Sequence, residues 1–334
     1  MRGAIIGAVL VAAVAVGGWL GAESLASRQL AAAIAADPAL DAAEIRPLRD
    51  PARLGVALRD VRLEDPAMGL RLPWAALSLR PLSPLTARLD LPETATLIQE
   101  GQERQLGLSD PVAWVALAPL NGFSPRAMQV SARGLTLDGQ PLAGGLSLDA
   151  DLVPLGAQAP RAARAAYDVT LALEEGQTAA LESLGLGAGL LPGPVAGSGT
   201  VRLWLDGTPA PNAPAPQVVG WQTPGLEIAA GGIGLRLVGR LARDAQGRAE
   251  GQVALYSADS QAMIDMAGAL GLIPDGARLL IRAGLSRLSE APIDTALPGP
   301  AFPDPAEGEL RLPVIFRDGQ VVLGGLPIGP APAF

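Results

Sequence analysis

Leu85-Thr86-Ala87-Arg88-Leu89-Asp90-Leu91 alternates apolar and polar residues without a break. A period of two marks a strand with one buried face, because successive side chains leave a strand on opposite sides. The pattern recurs: Tyr167, Val169, Leu171 and Leu173 oppose Asp168, Thr170 and Glu174, and Val201, Leu203 and Leu205 oppose Arg202 and Asp206. Such half-buried strands belong to antiparallel sheets. Between Leu54 and Leu63 the apolar set moves from Leu54, Val56 and Leu58 to Val61 and Leu63, which predicts a bulge near Arg59-Asp60.

Turn chemistry supports meandering strands. Asn121-Gly122, Asp138-Gly139, Asp206-Gly207 and Asp318-Gly319 stand between or beside such runs and supply the positive φ of tight hairpins. Two Pro-rich stretches, Thr208 to Gln217 and Ala291 to Glu309, cannot donate regular ladder bonds and read as surface loops or linkers. Helices are few. Ser257 or Asp259 can cap one running to Leu270, a second covers Ala277 to Ser289, and a short third spans Thr178 to Leu186. Met263, Met266 and Leu270 at helical spacing read as core filler.

The run from Gly3 to Ala22 holds no charge over 20 residues. As a helix it would rise about 30 Å, the thickness of a bilayer's hydrocarbon. Arg2 precedes it and Glu23 follows, so the positive-inside rule keeps the N-terminus cytoplasmic and exports the body, with Trp19 near the outer interface. A cleaved signal peptide ending near Ser24-Leu25-Ala26 is the alternative. The anchor is preferred, because the run is long and the Ala- and Leu-rich stretch Ser24 to Ala36 continues helically to Pro38. The expected fold is mainly β (α+β): one or more curved antiparallel sheets with a small late helical pair, preceded by one transmembrane helix. The expected parts are 1–36 (anchor and continuing helix), 45–207 (β-rich) and 218–334 (β-rich, with a helical insert near 257–290).

Composition removes whole classes of chemistry. Among 334 residues there is no Cys and no His, and the 25 basic residues are all Arg. Thiolate and imidazole metal ligands, Ser-His and Cys-His pairs, Schiff-base lysines and a phosphate-loop lysine are therefore excluded. Disulfides are excluded as well. The net charge is −8 and no basic tract occurs, so nucleic acid is not expected as a partner.

Remaining carboxylates and hydroxyls give weak candidates. Asp149 and Asp151 lie two apart on one strand face, about 7 Å from each other, a separation that glycosidase carboxylates use. With Leu146, Leu148, Ala150 and Leu152 taken to face inward, the preferred reading is a solvated strand face. Glu174-Glu175 beside Gly176 read as a turn. Asp304, Glu307 and Glu309 lack the ligand spacing of a calcium loop. Gly185, Gly187 and Gly189 miss the dinucleotide fingerprint, and Ser198 has no base. Among Trp74, Trp114, Trp204 and Trp221, Trp204 falls on the polar face of its strand, so it marks either a contact surface or, as preferred, a second packed sheet.

Four blocks carry a family resemblance: LRDVRLEDPAMGLRLPWAALSLRPLSP (Leu58 to Pro84), RLDLP (Arg88 to Pro92), GRLARDAQGRAEGQVALYSADSQAMIDMAGALGLIP (Gly239 to Pro274) and VIFRDGQVVLGGLPIGPAPAF (Val314 to Phe334). The last resembles the C-terminal signature of the bacterial domain-of-unknown-function family 2125, as does the order of anchor, strands, late helix pair and closing strand. Where that family tends to carry a Gly-aromatic-Pro element, this chain has Arg49-Asp50-Pro51, which implies a different approach to the first strand. The resemblance implies an envelope protein and supplies no catalytic residue.

The expectation is therefore an inner-membrane protein held by residues 3–22, with a periplasmic body serving as a structural or interaction module of the cell envelope. The alternative is a lipid or amphiphile carrier using an apolar concave sheet. No catalytic, cofactor-binding or metal residues are assigned, no cofactor is expected, and the partners expected are lipid or envelope proteins.

Overall fold

The computed structural model describes residues 27, 28, 30, 31, 34, 35, 40–50, 52–64, 69–80, 82–119, 124–185, 193–209, 215–269, 276, 281, 284 and 288–334. Residues 3–22, and with them the expected anchor, lie outside that set, as does Asn121-Gly122. Among the described residues no helix is long and apolar enough to cross a membrane. The protein is mainly β and divides into two compact units, unit 1 running to Leu152 and including Thr208–Pro216, and unit 2 comprising Val153–Gly207 and Gln217–Phe334.

Unit 1 contains β1 (Leu40–Pro47), β2 (Leu54–Glu64), β3 (Gly69–Arg80), β4 (Ser83–Asp90), β5 (Thr94–Gln99), β6 (Gln102–Ala118), β7 (Ser124–Leu137) and β8 (Gln140–Val153). They pair antiparallel in the order β1-β2-β3-β4-β6-β7-β8. β4 and β5 fill the slot between β3 and β6 one after the other: β4 pairs with Ala76 to Arg80 of β3, and β5 with Gly69 to Arg71. Val56, Leu58, Val61, Leu72, Ala75, Leu77, Leu79 and Ala87 form the core, joined by Leu30 and Ile34, helical residues four apart.

The predicted bulge in β2 is replaced by a different device. Asp60 does take a left-handed φ of 48°, but the register does not slip: Arg59 faces Glu44 and Trp74, and Val61 faces Ala42 and Leu72. Both neighbours change parity at the same level. β1 moves from Leu40 and Ala42 to Ile45 and Pro47, and β3 from Leu70 and Leu72 to Ala75, Leu77 and Leu79. The level is Ala43, Asp60 and Pro73, and proline has no N–H to donate there. An extra residue in β2 alone would have turned its partners' apolar faces outward. One in each strand keeps all three in the core.

Unit 2 is a meander of β9 (Ala165–Gly176), β10 (Val195–Leu205), β11 (Val218–Ala230), β12 (Ile233–Arg243), β13 (Ala249–Ser257), β14 (Leu310–Arg317), β15 (Gln320–Leu323) and β16 (Leu326–Pro330). Tight turns with two positive φ values join neighbours at Asp318-Gly319 here and at Asp138-Gly139 in unit 1. Glu100-Gly101, Gly231-Gly232 and Gly324-Gly325 use the same geometry. Asp206-Gly207 does not; its carboxylate and its N–H instead close onto Gln217 across a longer loop.

The described helices are α1 (Thr178–Ser183) and α2 (Ser260–Ala269). Both expected caps of α2 contribute. Asp259 accepts the Gln261 N–H at 3.0 Å, and the Ser257 hydroxyl accepts the Asp259 N–H at 3.1 Å. Of the second expected helix, residues 281, 284, 288 and 289 are described and are helical. The Pro-rich stretch 291–309 is a strap rather than a linker. Ile293 and Phe302 pack on Val238, Ala254 and Tyr256, the Tyr256 hydroxyl donates to the Pro303 carbonyl at 2.9 Å, and Glu309 pairs with Arg236 at 2.9 Å.

Trp204 is 1% exposed, yet among the described residues no second sheet covers it. The loop 154–164 does: the indole N–H donates to the Leu155 carbonyl at 2.9 Å, and Ala159, Ala163, Ala166 and Val219 pack around the ring. Arg240 lies 5.4 Å above the ring and donates through Nε to the Gln158 carbonyl. Burial lowers the Arg240 pKa below its ordinary value. The same face of unit 2 carries one polar row of Cα partners, Asp168, Arg202, Gln222, Arg240 and Gln252, opened by a two-pronged Arg202–Asp168 pair at 2.7 and 2.8 Å.

Candidate functional site

Register alone links the apolar face of unit 1 into a row. Val56, Leu77, Leu89, Ala113, Val130 and Leu148 are successive Cα partners across β2, β3, β4, β6, β7 and β8. Every member is apolar, as a face pointed at a core requires. The cover is uneven. Val56, Leu77 and Ala113 are buried, but Val130 is 47% exposed and Leu148 37%. Leu146, paired with Ala132 two residues along, is 43% exposed. Val115 and Met128, partners in the neighbouring row, are half-buried. An aliphatic strip on β6 to β8 thus continues the core surface beyond the side chains that fill it.

This corrects the sequence reading of β8. Leu146 and Leu148 were expected inward with Asp149 and Asp151 in solvent; instead both leucines are exposed, Asp149 is half-buried and Asp151 exposed. Leu152 is half-buried and only Ala150 of that set is buried.

The opposite face carries the complementary row Gly55, Ser78, Arg88, Trp114, Gln129 and Asp149. At its β3–β4 end lies a groove of about 370 Å³ lined by Arg80, Arg88, Arg126, Ser78, Ser83, Thr86, Trp114 and two alanines. The floor is low because Ala116 and Ala127, Cα partners, have nothing beyond Cβ. Arg126 reaches it through a bulge: Ala116 pairs with Ala127 and Leu117 with Pro125, leaving Arg126 unpaired between them. The Trp114 ring is fixed by its N–H donating to Gln129 Oε1 at 2.7 Å. Arg88 donates to Asp90 at 3.1 Å, a carboxylate shared with Arg53. Arg80 and Arg126 form no ion pair with a described residue.

The other sequence candidates do not converge. Glu174 and Glu175 close β9, both exposed, with Glu175 left-handed at φ 49°. Ser198 is exposed on β10 opposite Glu227 and Ala172. Asp304 and Glu307 are exposed, while Glu309 is held by Arg236. Gly185 ends α1 with φ 71°, and Gly187 and Gly189 lie outside the described residues. Among the described residues no three acidic side chains stand close enough to hold a metal ion.

Architecture sets the class: a mainly β protein of sequence-ordered antiparallel strands with short helices. The chain belongs to the family described as an uncharacterized protein conserved in bacteria (DUF2125), whose model matches residues 19–332. That agrees with the resemblance carried by Val314 to Phe334. No curated protein and no solved structure gives a match.

Proposed function

We propose that this protein is a binding module of the bacterial cell envelope, held in the inner membrane by residues 3–22 with its body in the periplasm, and that unit 1 takes the hydrocarbon of an amphiphile on the strip of β6 to β8. The carrying observation is the single apolar row that is buried at Val56 and Leu77 and uncovered at Val130 and Leu148. Two features favour an acyl chain over a protein partner as the occupant. Val115, Met128, Val130, Ala132, Leu146 and Leu148 offer no hydrogen-bonding side chain to fix a peptide. The strip also continues the core on which Leu30 and Ile34 pack, and Leu30 follows the uncharged run by eight residues, at most about 29 Å of extended chain. No catalytic step is assigned.

Covering what remains exposed of Val130, Leu146 and Leu148 would contribute about 3 kcal/mol, at about 2 kcal/mol per fully buried aliphatic side chain. Each methylene of ligand adds about 0.8 kcal/mol, close to a fourfold gain in affinity. Native mass spectrometry of the detergent-released full chain is the test. Co-purified lipid in the wild type, lost in Val130→Glu, is the expected result. A wild type that carries no lipid, or a partner protein displaced by the same variant, would replace this reading with that of a protein-interaction module.

A further inference from the structure

The groove on the opposite face of unit 1 is a site in its own right, and it does not depend on the apolar strip. We propose that it binds a phosphate monoester group. Four observations converge on an anion. Three guanidinium groups, those of Arg80, Arg88 and Arg126, line one depression in a chain whose net charge is −8, and no carboxylate lines it. Arg80 and Arg126 have no acidic partner among the described residues, so their charge is uncommitted. The bulge at Arg126 delivers to the groove a side chain that regular pairing would have turned to the other face. Ser78 lines the groove although it is only 2% exposed, and its hydroxyl makes no hydrogen bond to a described residue.

Ser78, Ser83 and Thr86 can each donate to one oxygen, and a guanidinium fork fits two oxygens of a tetrahedral phosphate at once. Three positive charges match the dianion of a monoester better than a single carboxylate. Trp114, held in place by Gln129, gives the groove one apolar wall against which the group esterified to the phosphate can lie. Either a free phosphate ester or a phosphate-bearing lipid headgroup presents this chemistry.

Isothermal titration of the full chain in detergent separates the two sources, with inorganic phosphate in one arm and dihexanoyl phosphatidic acid in the other. Saturable binding is expected in at least one arm, weakened tenfold or more by Arg126→Ala and by Arg80→Ala. Arg126→Lys, which keeps the charge and loses the fork, should fall between. Arg133→Ala, outside the groove, should leave binding unchanged in both arms, and Val130→Glu, on the opposite face, should leave the binding of inorganic phosphate unchanged, so a failure here is distinguishable from a failure of the amphiphile reading. A lipid affinity at least tenfold above that of phosphate identifies a headgroup, and equal affinities identify a free ester. No saturation in either arm, or equal losses in Arg133→Ala and Arg126→Ala, would overturn the proposal.

Discussion

Replacing Trp204 by alanine tests how unit 2 covers the polar side of its sheet. The side chain sits on the strand face that its sequence marks as outward, and its burial depends on the loop 154–164 together with Ala166, Val219 and Arg240. Alanine removes the indole, its hydrogen bond to the Leu155 carbonyl and its stacking under Arg240. Large-to-small changes of a buried tryptophan cost about 3 to 5 kcal/mol, of which the hydrogen bond accounts for about 1. Because the chain holds two compact units, a single melting curve does not report on this clamp alone, and hydrogen exchange is the better readout. The informative amides are those of Ala163, bonded to the Pro160 carbonyl at 2.9 Å, and Arg164, bonded to Leu205 at 2.7 Å. Their protection should fall about 100-fold or more, the equivalent of about 3 kcal/mol. Trp204→Phe should retain most of the packing and fall between. Unchanged exchange at both amides in Trp204→Ala would refute the clamp.

A second outcome concerns backbone contact in β12: at Gly239 (φ 154°) an added Cβ would lie 2.5 Å from both the Gln252 carbonyl oxygen and the Val253 Cα. Gly239→Ala should therefore abolish the cooperative unfolding of unit 2, whereas Gly225→Ala in β11, with nothing within 4 Å, should change stability by less than about 1 kcal/mol, as circular dichroism in urea would show. The pH dependence follows from Asp294, whose hydrogen bond from Arg317 at 2.5 Å, backed by the Ala296 N–H, holds its pKa below the ordinary carboxylate value. A carboxylate depressed in the folded state stabilises it above the unfolded pKa of about 4, and that contribution is lost as the pH falls below it. Denaturation midpoints between pH 7 and 2.5 should decline in acid, and Asp294→Asn should flatten the decline; identical profiles would contradict the assignment.

Much of this fold is legible in sequence because it rests on local rules. Alternation identified β4, β9 and β10, and Asp-Gly pairs marked two of the tight turns. Gly231-Gly232 and Gly324-Gly325 carry the same signal, whereas Glu100-Gly101 takes the same geometry without it, because glutamate is not a residue that favours positive φ. β1 was missed because Leu40-Asp41-Ala42-Ala43-Glu44 is built of residues that favour helices and breaks its own period at Ala43. The parity change in β2 was visible, but its meaning needed the two neighbours, which change with it; a single strand cannot tell a bulge from a shared step.

The candidate sites depend on what covers each face. Nothing in GLSLDAD distinguishes leucines under a core from leucines beyond its edge, so Leu146 and Leu148 were placed inward. Trp204 shows the converse, an outward position buried by a loop 40 to 50 residues earlier in the chain. The groove could not be foreseen from Arg126, because its bulge is set by pairing across β6 and β7 and leaves no local turn signal.

Opening of the apolar row to hydrocarbon at β7 and β8, as proposed, can be read at a single labelled position. The chain has no cysteine, so Leu148→Cys gives a single attachment point for a polarity-sensitive fluorophore, and Asp149→Cys places the same dye on the opposite face. On addition of long-chain lipid, emission from position 148 should shift to the blue while that from position 149 stays fixed. No shift at 148, or equal shifts at both positions, would contradict the account.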